Sequence, residues 1–257
     1  MPSLSHLGEI ITLPNSFSSS AERQEVMERY KQLRLYGLQA NPEAFSSTYE
    51  DESQFSDEVW LSRIQNPAGR NYAAVSCIHD PSEVTPATDL ARGDDESCGI
   101  CDSPQKEWLG IVTLLGPGIF PRFDEASTPD ITQPYEVFVH NGRYHIPFTA
   151  PNSAELRGAH LVYLVVGMFV SPTARRRRYG QRLMEAVIAA ATQEGEAVGA
   201  ETVSITLQVE TLNSRAQRLY ERLGFKVVNT SLEIENHGGT KSYVTCLELV
   251  IRISKCR

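Results

Sequence analysis

The stretch "VSPTARRRRYGQRLMEAV", residues 170–187, sets four consecutive arginines, Arg175 to Arg178, between an apolar run and a helix-like pattern, in a chain whose formal charge is −8. Upstream, "HLVYLVVGMFV" (160–170) is almost continuously apolar, as a central strand covered on both faces must be, and Gly167 inside it marks an expected bulge. Downstream, Leu183, Val187, Ala190, Ala191 and Glu194 recur in helical step, with a helix end near Gly195 or Gly199. An apolar strand that stops at Pro172, bends through a basic turn and enters a helix is the local plan of an anion site. The first N–H groups of a helix have no internal partner, the aligned peptide dipoles favour negative charge there, and arginine adds charge-assisted hydrogen bonds.

Outward from this point the pattern continues as strand, helix, strand, strand. "TVSITLQV" alternates Val203, Ile205, Leu207 and Val209 against Ser204, Thr206 and Gln208, and predicts a half-buried strand. "NSRAQRLYERLGF" predicts a short helix capped by Asn213 and ended at Gly224, and two strands near 226–234 and 242–251 close the chain. On the other side, "AERQEVMERYKQLRLYGLQ" (21–39) places Val26, Tyr30, Leu33 and Gly37 or Leu38 on one helix face, "NPEAFSSTYEDE" reads as a loop, and "SDEVWLSRI" predicts a helix with Val59, Trp60 and Ile64 inward. "NYAAVSCI" (71–78) and "EWLGIVTLLG" predict strands, and Asn141-Gly142 between two alternating runs predicts a hairpin. The whole is a mixed α/β (α+β) domain with helices packed against one sheet. One domain over residues 1–257 is expected, with insertions at about 80–106 and 116–134.

Bulk properties narrow the partners. A net charge of −8 argues against a nucleic-acid binder, which draws its affinity from neutralising phosphates, so the arginine run acts locally. A nuclear-import signal works from an exposed segment and does not suit a run set between a core strand and a helix. No secretory signal and no apolar stretch of about 18 residues is present, so the expectation is a cytoplasmic protein without a membrane partner. Five cysteines, at positions 77, 98, 101, 246 and 256, are unevenly spaced and read as reduced thiols. Cys98 and Cys101 form a CxxC without a second pair or nearby histidines, so no metal site is expected. Residues 80–106 carry seven acidic and two basic side chains and read as a flexible insertion.

"MFVSPTARRRRYGQRLMEAVI" followed by "LQVETLNSRAQRLYERLGF" resembles the GNAT N-acetyltransferase superfamily over about residues 160–228. That family's pattern is an apolar strand, a proline, then Arg/Gln-x-x-Gly-x-Gly/Ala opening a helix, and later a strand, an Asn, a Tyr seven residues on, and a Gly-Phe pair. These fall on Arg175 to Gly180, Asn213, Tyr220 and Gly224-Phe225, with one departure: the first family glycine is Arg178 here.

The resemblance implies an acyl-CoA N-acyltransferase fold with helices on both sides of a central mixed sheet, and transfer of acetyl from acetyl-CoA, as cosubstrate, to a primary amine by direct attack in a ternary complex. It assigns backbone groups of Met168, Phe169 and Val170 to the pantetheine arm and acetyl oxygen. Arg175, Arg176, Arg177, Arg178, Tyr179, Gly180, Gln181 and Asn213 become coenzyme contacts. Tyr220 becomes the general acid; seven residues from Asn213 is two helical turns, so both share one face. For the base, some relatives carry a Glu where this chain has Gln208, which takes no proton. Glu210 on the same strand face is one substitute, Glu136, His140 and His145 are others, and a water relay is a further route. The acceptor side is expected to involve residues 41–52, the hairpin near Asn141 and the turn near His237, with Phe45, Tyr49, Glu50, Asp51 and Glu52 suited to a cationic amine. The acceptor is a small molecule or a peptide, a protein lysine included. The alternative is a module that binds acyl-CoA without turnover, favoured by Gln208 and Arg178 and opposed by the presence of both Asn213 and Tyr220.

Overall fold

A computed structural model of the chain describes residues 8–76, 106–121, 132–140, 143–144, 149, 151–235 and 241–253. Its strands are β1 (Glu9–Thr12), β2 (Gly69–Val75), β3 (Trp108–Phe120), β4 (Val139–His140), β5 (Arg143–Tyr144), β6 (His160–Val170), β7 (Thr202–Glu210), β8 (Lys226–Glu235) and β9 (Lys241–Arg252). The helices are α1 (Ser20–Ala40), α2 (Tyr49–Glu52), α3 (Asp57–Ile64), α4 (Ser153–Leu156), α5 (Tyr179–Val198) and α6 (Ser214–Arg222). Seven strands form one sheet in the order β1-β2-β3-β6-β7-β9-β8, all neighbours antiparallel except β6 and β7. The β4–β5 pair is the expected hairpin, its turn at 141–142 lying outside the described residues.

Strand alternation sorts the core onto two faces. Ala73, Val75, Trp108 and Ile111 pack with Val26, Met27, Tyr30 and Leu33 of α1 and Trp60 and Ile64 of α3. Tyr72, Ala74, Val112 and Leu114, pointing the other way, pack with Leu183, Met184, Val187 and Ala191 of α5. The helices therefore cover both faces of the sheet, as the resemblance implies. Helix α5 ends at Gly199, whose φ of 68° is the left-handed cap that a glycine adopts without strain.

Several sequence readings are corrected. Val59 is 38% exposed and Leu61 takes the inward place beside Trp60 and Ile64, because a helix of eight residues buries only one narrow stripe. Residues 41–52 are not wholly loop: Pro42–Ala44 forms a 3₁₀ turn, and α2 is a single turn capped by Thr48 Oγ1, which accepts from Asp51 N at 3.1 Å. Residues 116–120 belong to β3 and not to an insertion. Between Leu115 and Gly118 the register with β6 slips, and this bulge accommodates Pro117 within the strand. β1, four residues long and read from sequence as nothing, adds an edge by pairing with β2 from Glu9↔Val75 to Thr12↔Tyr72. Cys98, Cys101 and residues 80–105 lie outside the described residues, as do His145 and His237. No helix among the described residues is long and apolar enough to cross a membrane.

Candidate active site

β6 and β7 run side by side only as far as Val165↔Leu207. Beyond that point β6 stays with β3, through Phe169↔Ile111 and Val170↔Gly110, while β7 stays with β9, through Gln208↔Cys246 and Glu210↔Val244. The two strands part and leave a wedge whose β6 wall, residues 166–170, has no strand on its β7 side. The cause is the bulge at Gly167, where three steps of β6 (Val166 to Phe169) match two of β3 (Thr113 to Ile111), with Gly167 at φ 64°. An extra residue in one strand bends it and inverts the alternation that follows. Accordingly Met168 and Val170 pack toward the α5 side, and Phe169 turns to the α1 side.

At the end of this wall the chain enters the arginine turn. Arg176 and Arg178 both hold left-handed conformations, φ 65° and 63°, and Arg178 is the N-cap residue of α5. The family glycine position is thus a left-handed position here too, filled by an arginine whose side chain is exposed. The first i→i−4 bond of the helix is Arg182 N to Arg178 O at 3.0 Å, so the amides of Tyr179, Gly180 and Gln181 begin the helix without that partner. Four exposed arginines, left-handed turns and a 20-residue helix start make one cationic, amide-rich corner.

The expected coenzyme contacts separate by role. The side chains of Arg176, Arg177 and Arg178 have no hydrogen bond or ion pair among the described residues. Arg175 instead folds back, donating from Nε to Val170 O at 3.1 Å and from Nη2 to Asn41 Oδ1. Tyr179 is buried and its hydroxyl accepts from Gly8 N at 3.2 Å, while Arg182 donates to Gly8 O, so these two side chains anchor the start of β1. Gln181 donates to Glu185 Oε1 at 2.8 Å along the helix surface. Gly180 allows close packing: a Cβ there would lie 3.3 Å from both Leu219 Cδ2 and Met168 Cε. That contact brings α6, the start of α5 and the end of β6 together.

Glu210 and Asn213 build the turn into α6. Glu210 Oε2 accepts from Leu212 N at 2.6 Å, and Asn213 Oδ1 caps the helix by accepting from Ala216 N at 3.2 Å. Tyr220, two turns further, is 6% exposed, with Phe225 at 6.1 Å between ring centroids. Burial pushes its phenol up to about 12. Among the other base candidates, Glu136 already accepts from Thr132 N at 2.6 Å and Gln133 N at 2.9 Å as the cap of a 3₁₀ turn, Pro134–Val137. Gln208 lies opposite Cys246, a buried thiol that desolvation pushes up to about 12.

On the acceptor side, Glu52 is not free to attract an amine. It is buried, accepts from Arg34 at 3.0 and 2.7 Å through both oxygens, and from Arg63 at 2.9 Å. Desolvation pushes its carboxyl up, but the Arg34 hydrogen bonds and the charges of Arg34 and Arg63 outweigh this and hold it below the usual carboxylate value. Arg34 also lies 4.5 Å over the Phe45 ring. Sequence reading missed this pairing because Glu52 and Arg34 are 18 residues apart on different elements.

Residues 148–227, which contain the β6 wall, the arginine turn, β7 and α6, match the acetyltransferase (GNAT) domain. No curated protein matches the sequence. Among solved structures, the chain is similar to Arabidopsis thaliana NAA60 in complex with acetyl-CoA, at 16% identity and TM-score 0.49, over 95% of this chain and 99% of that one. It is also similar to a GCN5-related N-acetyltransferase from Kribbella flavida (15%, TM-score 0.45, 94% and 98% of the chains). A third is the ribosomal-protein-S18-alanine N-acetyltransferase from Escherichia coli (12%, TM-score 0.43, 96% of each chain). Within the segment that matches the GNAT domain, the wedge and the cationic helix start lie at the same end of β6.

Proposed function

We propose that this protein transfers acetyl from acetyl-CoA to a primary amine of a small molecule or peptide, by direct attack within a ternary complex. The observation that carries this reading is the opening of β6 from β7 directly beside the arginine turn and the start of α5, inside the segment that matches the GNAT domain. The site fits the coenzyme's chemistry. An extended strand edge without a strand partner suits an amide-bearing arm, and helix-start amides with exposed arginines suit a pyrophosphate. Acetyl-CoA supplies the activated acetyl group as a thioester.

The chain's residues then divide the work. Backbone groups of Met168, Phe169 and Val170 hold the arm and the acetyl oxygen, although Val170 O is already shared with Arg175. Amides from Arg176 to Gln181 hold the phosphates, with Asn213 at the turn into α6. Tyr220, protonated at neutral pH like any phenol and raised further by burial, donates its proton where the sulfur departs. Burial makes the phenol a weaker donor, and the same dry surroundings make the departing thiolate a stronger acceptor. Glu210 takes the amine's proton, directly or through water; it shares the strand face of Gln208.

Calorimetric titration with acetyl-CoA at two salt concentrations tests the reading. Micromolar binding that weakens with salt supports the cradle. No binding refutes it. Binding without turnover on an amine panel selects the second reading, a coenzyme-binding module, which Gln208 at the base position favours.

A further inference from the structure

Residues 41–45 bridge the two walls of the wedge. Asn41 ends α1, its N–H bonding Gly37 O at 3.0 Å, and the 3₁₀ turn Pro42–Ala44 that follows packs against β7. From the other wall, the Phe169 ring of β6 lies 6.5 Å from the Phe45 ring, and so close to Gly37 that a Cβ there would meet it at 3.1 Å. The segment thus meets β6 through Phe45 and lies beside β7 through Pro42–Ala44. Arg175, the first residue of the arginine turn, is the one of the four arginines tied to it. Its guanidinium joins Val170 O and Asn41 Oδ1, and Asn41 Nδ2 in turn donates to Glu43 Oε1 at 3.2 Å.

We propose that Arg175 is a positioning residue that fastens residues 41–45 across the mouth of the wedge, so that coenzyme held by the arginine turn also sets the acceptor-side wall. This coupling rests on the coenzyme reading of the turn given above. Its physical basis is shared rigidity: a turn ordered by one ligand offers Asn41 a fixed partner, and the segment no longer opens independently. Arginine suits the task because its planar fork reaches two acceptors from one side chain.

Hydrogen exchange on the full chain tests the proposal. The amides of Asn41, Ala44 and Phe45 are bonded to Gly37, Asn41 and Pro42 carbonyls and report opening of the segment. In the free protein, Arg175→Ala and Asn41→Ala each speed exchange at residues 41–45 about fivefold, the effect of losing one ordinary hydrogen bond, and the double variant goes no further. Arg175→Lys keeps the charge without the fork and behaves as Arg175→Ala. Acetyl-CoA, raised to saturation for each protein as judged by calorimetry, slows exchange at 41–45 in the native chain but not in Arg175→Ala. Native exchange rates in both single variants overturn the tie. Coenzyme that binds the native chain without slowing residues 41–45 overturns the coupling. Absence of coenzyme binding to the native chain overturns the coenzyme reading and the coupling with it, and the free variants still decide the tie.

Discussion

Arg178 offers a direct test of how the arginine turn is built. Its backbone sits at φ 63° and ψ 8°, and its side chain is exposed and makes no cap hydrogen bond. For an L residue this region crowds Cβ against the following carbonyl oxygen at a cost of about 1–2 kcal/mol. Glycine avoids that cost but brings a more flexible unfolded chain, worth about 0.5–1 kcal/mol against it. The balance favours Arg178→Gly over Arg178→Ala by about 0.5–1 kcal/mol. Both substitutions delete the guanidinium, so their difference isolates the Cβ. For a chain of this size that corresponds to a Tm about 2 °C higher for the glycine variant, read by thermal denaturation followed by circular dichroism without coenzyme. Coenzyme affinity should fall equally in the two variants, since each loses one positive charge and neither alters the path of the helix-start amides. An alanine variant as stable as the glycine variant would refute the reasoning, and with it the claim that arginine here holds a strained glycine conformation.

Three further outcomes follow from the geometry. Tyr220→Phe should lower turnover with little change in acetyl-CoA affinity, and full activity in that variant removes Tyr220 as the acid. Because the folded phenol is raised from 10.0 to about 12, its contribution to stability is complete below pH 10 and is lost as pH climbs toward 12; an alkaline melt series should show Tyr220→Phe lacking this loss. Glu52→Gln should cost about 3 kcal/mol, since it leaves Arg34 and Arg63 without their shared anion, and calorimetric melting should fall by roughly 8 °C. The lowered Glu52 carboxyl gives stability present above pH 4.5 and lost as pH falls below it, so the Glu52→Gln variant should show a flatter acid limb; an equally steep limb assigns acid sensitivity elsewhere. Replacing residues 78–105 by a two-residue Asn-Gly turn should leave Tm within about 2 °C, because Ser76 N to Glu107 O (2.9 Å) and Glu107 N to Ser76 Oγ (3.1 Å) already close the β2–β3 ends. A fall of several degrees would show that the replaced residues pack on the core.

Local readings carried most of the secondary structure because caps and periodicity are themselves local. Asn213 caps α6 and β7 alternates where the residues placed them, and of the two glycines that could end α5 it is Gly199, with Gly195 buried inside the helix. β1 was illegible because four residues at a sheet edge carry no period worth counting; it is fixed by β2 and by the grip of Tyr179 and Arg182 on Gly8. The acidic reading of residues 49–52 erred for a related reason. The charges of Glu50, Asp51 and Glu52 look equivalent in sequence, yet the one-turn helix aims Glu52 alone at Arg34, which approaches from α1, and at Arg63 of α3.

The site shows the same division more sharply. Arg175 reads as one of four equal arginines, yet its guanidinium is bonded back to Val170 O and to Asn41, the latter 134 residues distant. The wedge depends on an even finer signal. Had β6 kept strict alternation, Phe169 would share the face of Val165, under α5, and Met168 would face α1. One extra residue at Gly167 reverses both, putting Phe169 against Gly37 and Phe45, and Met168 against Gly180 and Leu219. The same extra residue bends β6 away from β7, so a single bulge both opens the wedge and supplies the aromatic ring on which the segment bridging it rests.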